Sequence, residues 1–225
     1  MKRTKLNDRI LPNYTKGDEI FNSVTHMVGG ALGIVATVLC VVVAALNSSV
    51  YGVVGGAIFG ASMTLMYTIS AVYHLLSPRL TAKKVMQILD HCTIFMLIAG
   101  TYTPVALCSI REYNPYLGWT IFGVVWAAAI LGIVFNSIDL KKWHKMSMIL
   151  YVLMGWSLVF MFKHVLEKVP LQGILLLVGG GVFYTLGIIF FAKDKVRYMH
   201  YIWHIFVLLG TITQYFFILF YVIPL

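Results

Sequence analysis

The stretch "IFNSVTHMVGGALGIVATVLCVVVAALNSSVYGVVGGAIFGASMTLMYTISAVYHLLSP", Ile20 to Pro78, contains no Asp, Glu, Lys or Arg. About 20 apolar residues suffice to cross the hydrocarbon core of a bilayer, so this stretch is too long for one crossing. "LNSSVYG" (Leu46 to Gly52) is its natural turn. Two helices near 24–46 and 51–75 result.

The rest of the chain divides in the same way, with charged clusters as the breaks. "SPRLTAKK" (Ser77 to Lys84), "REYNPYLG" (Arg111 to Gly118), "DLKKWHK" (Asp139 to Lys145), "EKVPLQ" (Glu167 to Gln172) and "KDKVR" (Lys193 to Arg197) separate further apolar runs. These predict spans near 86–109, 116–137, 146–165, 170–192 and 199–222. The expected architecture is an all-α membrane protein, a seven-transmembrane helix bundle over residues 24–225. Residues 1–23 form a short basic arm without a signal peptide.

Composition agrees. Of 225 residues 60% are hydrophobic and 11% charged, and mean hydropathy is +0.87. A soluble domain carries about a quarter charged residues. The net charge of +9 does not point to nucleic acid, because the basic residues sit in short clusters between apolar spans. They read as topology signals and as contacts for anionic lipid headgroups. The arm has Lys2, Arg3, Lys5, Arg9 and Lys16. Alternate connections add Arg79, Lys83, Lys84, Lys141, Lys142, Lys145, Lys193, Lys195 and Arg197. The opposite side has Arg111, Lys163 and Lys168 alone among the 17 Lys and Arg. The positive-inside rule then puts the N-terminus in the cytosol and the C-terminus outside. Cys40, Cys92 and Cys108 lie in apolar segments without paired spacing, as buried small hydrophobes do. Gly29 and Gly33 on the first helix, and Gly52, Gly56 and Gly60 on the second, form small-residue stripes suited to close helix packing.

Orientation gives each polar residue a depth. Ser70 and His74 lie at the cytosolic end of the second helix, and Asp90 and His91 near that end of the third. His200 and His204 enter the seventh helix at the same level. "RYMHYIWHIF" (Arg197 to Phe206) sets its two histidines four residues apart, on one helix face about 6 Å along the axis. That is the spacing of a zinc-binding pair. Tyr201 stands where a zincin would carry its glutamate. His74 is the candidate third ligand. Three imidazoles and a water make a tetrahedral catalytic zinc site. Asp90, a carboxylate inside a span and so a functional candidate, would accept a hydrogen bond from that water and take its proton. Ser70, one turn before His74, could bond the water or the substrate.

Other readings stay open. Asp90 could cap the third helix, or be the fourth ligand of a structural zinc. His74 could be an interfacial histidine. His91, His144 and His164 are set aside as pointing away, lying in a loop, and lying at the opposite face.

The motifs "EIFNSVTH" (Glu19 to His26), Ser70 with His74, "LDHCTIFMLIAGTYTP" (Leu89 to Pro104) and His200 with His204 resemble the haemolysin III family. These are the bacterial relatives of the progestin and adipoQ (adiponectin) receptors. The resemblance implies seven helices and a cytosolic N-terminus. It also implies zinc held by His74, His200 and His204, with Asp90 contacting the zinc-bound water. The wider group includes alkaline ceramidases, which implies hydrolysis of a lipid amide. Glu19, Asn22 and His26 match a further family motif, and could contact the site or cap the first helix.

The leading expectation is a zinc-dependent hydrolase of a lipid amide or acyl bond at the inner leaflet of a bacterial plasma membrane. The alternative is a non-enzymatic sensor or regulator of lipid state with a structural zinc. A pore-forming haemolysin is less supported, because neither a charged ring nor a long amphipathic insertion segment is present.

Overall fold

The computed structural model describes residues 3–47, 49–161, 167–193 and 196–224. Lys2, Lys163, His164, Lys195 and the end of the expected fifth span, 162–165, lie outside the described residues.

Among the described residues all regular structure is helical, and six helices are long and apolar enough to cross a membrane. They are α1 (Lys16–Leu46), α2 (Val50–Leu75), α3 (Thr81–Pro104), α4 (Pro115–Trp156), α5 (Leu171–Phe191) and α6 (Met199–Tyr221). α3 runs on past Pro104 through a π-helical turn, Val105–Ile110, and a last turn, Arg111–Tyr113. Pro104 itself sits inside the helix; a wide turn beside it is one way to accommodate its missing N–H.

Two boundaries differ from expectation. α1 starts at Lys16, well before residue 24, because Thr15 and Asp18 close a capping box. The Thr15 hydroxyl accepts from the Asp18 N–H at 3.2 Å, and the Asp18 carboxylate accepts from the Thr15 N–H at 3.1 Å. The polar mouth "KGDEIFNS" is therefore the first two turns of a helix, and the arm ends at residue 15. α3 starts at Thr81, with Leu80 as its N-cap residue. Asp90 thus sits in the third turn and caps nothing.

The expected spans at 116–137 and 146–165 are one helix by hydrogen bonding, α4, interrupted at Asp139 (φ −161°, ψ 95°). In a straight helix residues 136 and 147 would stand about 16 Å apart along the axis. Instead the Ser147 hydroxyl donates to Asn136 Oδ1 at 2.6 Å, and Asn136 Nδ2 lies 3.4 Å from the Tyr151 hydroxyl. The chain therefore reverses at Asp139, and the legs 115–138 and 140–156 run antiparallel. The basic residues read as a loop, Lys141 to Lys145, belong to the second leg.

α1 and α2 approach closely through glycine. A side chain at Gly33 would meet the Thr64 backbone at 2.8 Å, and one at Gly60 would collide with Thr37. α3 is enclosed by its neighbours, while α4 and α5 show most of their surface. The exposed residues there are apolar, among them Val124, Ile130, Leu131 and Leu175. Such a surface suits lipid and not water.

The N-terminal arm lies across one end of the bundle. The Thr4 N–H donates to Asp139 Oδ2 at 2.8 Å, Arg3 reaches the Ser137 carbonyl at 3.4 Å, and Lys84 Nζ donates to the Asn7 carbonyl at 2.7 Å. Lys83, counted above among the lipid-facing charges, is turned inward and is 1% exposed.

Candidate metal centre

The polar residues of α1, α2, α3 and α6 meet at the end where the arm lies. The i, i+4 spacing of α6 puts His200 and His204 side by side, with their Nε2 atoms 3.1 Å apart. His74, on the last turn of α2, joins them: its ring centroid is 5.4 Å from that of His200 and 5.0 Å from that of His204. The nitrogen atoms these three offer all lie within 4.8 Å of one another. Two imidazoles on one tetrahedral zinc, with bonds of about 2.0–2.1 Å, have their nitrogens roughly 3.3 Å apart. The α6 pair is at that spacing, and His74 needs to move by at most about 1.5 Å to complete it.

His74 Nε2 and His200 Nδ1 are buried without a hydrogen-bond partner. Such atoms are costly to strand, and a cation is the partner that would satisfy the orphaned His74 nitrogen. The three histidines therefore fit a metal ion.

Glu19 reaches the cluster from α1. Its Oε2 lies 2.6 Å from His74 Nδ1, and its Oε1 accepts from Lys83 Nζ at 2.6 Å. A carboxylate on the outer nitrogen of a ligating histidine is the usual support for such a ligand. Glu19 thus contacts His74 and is not the cap of α1, which is Thr15. Its partner Lys83 carries no sequence signal, because nothing distinguishes it from Lys84 except which way it faces.

Asp90 and Ser70 are buried and line one cavity with His200 and His204. The cavity measures about 170 Å³, well above the ~10–15 Å³ that one water requires. Its walls run away from the histidines through Leu97, Ile98, Val105, Leu177 and Val207 and are mostly apolar. Asp90 stands outside the three-histidine group. His91, set aside from the sequence, also lines the cavity, with its Nδ1 3.9 Å from Asp90 Oδ2 and 2.9 Å from the Gln87 carbonyl. His144 is in the second leg of α4 and exposed.

His26 of α1 stacks on His204, with centroids 3.8 Å apart and planes at 16°, and meets Tyr67 edge-on at 4.9 Å. Both its nitrogens and the side-chain amide of Asn22 are buried without a partner. Tyr14, from the arm, stacks on His200 at 4.8 Å and 29°. Neither stacking contact could be read from spacing, because both join distant parts of the chain. Tyr201, at the zincin glutamate position, packs on Phe21 at 4.6 Å.

Apolar flanks and a polar centre sealed inside one end define a multi-pass membrane protein. Residues 14–215 match the family described as Haemolysin-III related, and the chain belongs to the haemolysin III family. It is 38% identical to Hemolysin-3 of Bacillus cereus over 208 residues, 92% of this chain and 93% of that protein. It is also 38% identical to the Hemolysin-3 homolog of Bacillus subtilis (strain 168), covering 92% and 96%. A more distant relative is the human Monocyte to macrophage differentiation factor, 26% identical over 170 residues, 71% of this chain and 66% of that protein.

Proposed function

We propose that the chain is a zinc-dependent hydrolase of a lipid amide or acyl bond, acting at the inner leaflet of a bacterial plasma membrane. Seven helical legs would cross the membrane with the N-terminus in the cytosol. The basic-residue asymmetry and the reversal at Asp139 support this count and orientation. The observation that carries the functional reading is the shared cavity: Asp90 and Ser70 line it with His200 and His204, and Asp90 is outside the ligand group.

His74, His200 and His204 would hold the ion, which when bound supplies Lewis-acid polarisation and water activation at neutral pH. The remaining work falls to the chain. The Asp90 carboxylate takes a proton from the attacking water and returns it to the leaving nitrogen or oxygen. The Ser70 hydroxyl hydrogen-bonds the scissile group. The apolar wall takes the acyl chain out of water, which orients the bond toward the histidines.

The alternative, a regulator with a structural zinc, is favoured by one observation. The cluster and its Glu19–Lys83 support tie α1, α2, α3 and α6 together at one point. Lipidomics of membranes containing the wild type or His204→Ala separates the two readings. A hydrolase depletes an amide- or ester-linked lipid and accumulates its fatty acid in the wild type alone. Identical lipid profiles, with the variant protein present at equal abundance, would leave the regulator.

A further inference from the structure

We infer that Lys83 is a positioning residue for the metal centre, acting through Glu19 on His74; the inference rests on the zinc reading above. Lysines near a membrane surface ordinarily bury their stems and extend the amine to water. Lys83 does the reverse. It is 1% exposed, and its Nζ donates to Glu19 Oε1 at 2.6 Å, to the Leu76 carbonyl at 2.9 Å and to the His74 carbonyl at 3.5 Å. These account for its three hydrogens. Its Nζ also lies 5.0 Å from the centroid of the Tyr73 ring. Lys84 shows the cheaper arrangement, partly exposed and bonded to the arm.

Burying an ammonium group is costly unless an opposite charge and full hydrogen bonding compensate it. Lys83 has both, and the charge it meets is the one that holds a ligand. With Oε1 fixed by Lys83, Glu19 has Oε2 left for His74 Nδ1 at 2.6 Å. A carboxylate there keeps the proton on Nδ1 and leaves Nε2, which has no other partner, with its lone pair for the cluster. Without Lys83 the part-buried carboxylate would lose the partner of its Oε1, and it could turn away from His74. The lysine also neutralises Glu19, so that the pair orients the ligand without adding net charge beside the ion.

A lysine serving only to cap α2, through the carbonyls of His74 and Leu76, would act independently of Glu19. A double-mutant cycle distinguishes the two. Zinc affinity is measured by chelator competition on the purified, folded full chain in lipid nanodiscs. Glu19→Gln and Lys83→Met should each weaken zinc binding about 10- to 100-fold, as loss of a ligand's outer partner does. Acting along one path, they should not add: the double variant should match Glu19→Gln to within about 2-fold. The double variant strands no charge, so paired with whichever single variant folds it completes the test: the double should match that single variant to within about 2-fold. A further tenfold loss on adding Lys83→Met to Glu19→Gln overturns the inference. So does wild-type affinity in Lys83→Met, which leaves the zinc reading intact. A wild type that binds no zinc overturns both.

Discussion

Tyr14, from the N-terminal arm, packs against the histidine cluster, and its removal should speed the exchange of zinc. Its ring is stacked on His200 with centroids 4.8 Å apart and planes at 29°, and it stands 5.9 Å from the ring of His74. An aromatic pair of this geometry contributes about 0.5–1.5 kcal/mol beyond the area it buries. If the arm must lift before the ion leaves, Tyr14→Ala makes lifting easier by that amount. At 1.36 kcal/mol per factor of ten this is an acceleration of roughly 2- to 12-fold. The assay is the rate at which zinc-loaded protein in nanodiscs gives up its metal to an excess of chromophoric chelator. Tyr14→Phe keeps the ring and should accelerate release less than Tyr14→Ala. An unchanged rate in Tyr14→Ala would refute the reasoning. Equal acceleration in Tyr14→Phe would also refute it, since the stack could not then be the barrier.

Asn136→Cys with Ser147→Cys, in a chain whose native cysteines are replaced, should form a disulfide under mild oxidation. A straight α4 would keep the two apart, and mobility on a non-reducing gel reads the outcome. Gly33→Ile should lower stability by about 1–3 kcal/mol, as overpacking does, because its Cβ would lie 2.8 Å from the Thr64 backbone; thermal unfolding in detergent checks this. A cytosol-active fluorescent reporter fused to the C-terminus should remain dark, and a bright fusion would invert the orientation and move the site to the outer leaflet.

Much of the fold could be read from the chain because lipid leaves few options for a backbone. Five expected spans, near 24–46, 51–75, 86–109, 170–192 and 199–222, overlap α1, α2, α3, α5 and α6. The boundaries failed where hydropathy and helicity part company. Lys16 to Ser23 is polar and helical, because the capping box starts the helix and the bundle, not lipid, receives Glu19 and Asn22. Lys141 to Lys145 look like a loop, yet interfacial lysines can stay helical while their amines reach water. The reversal is made at Asp139, whose backbone leaves the helix and whose Oδ1 accepts from the Lys142 N–H at 3.2 Å. At the site, the histidines were legible because shared depth and ligand count constrain them together. Lys83, Tyr14 and the stack of His26 on His204 were not. Each depends on which way a side chain turns in three dimensions, and a charge tally counts Lys83 and Lys84 alike.

The central claim is that the histidine centre hydrolyses a lipid with Asp90 as its proton carrier. The most direct measurement pairs fatty-acid release with zinc content for the purified wild type and Asp90→Asn, incubated with mixed ceramides and phospholipids. The account predicts about one zinc per chain in both, as one tetrahedral site requires, with release that depends on zinc in the wild type and is abolished in Asp90→Asn. Wild-type release no greater than that of the variant across the whole panel would contradict it. Loss of zinc from Asp90→Asn as complete as that from His204→Ala would contradict the role given to Asp90 and make it a ligand.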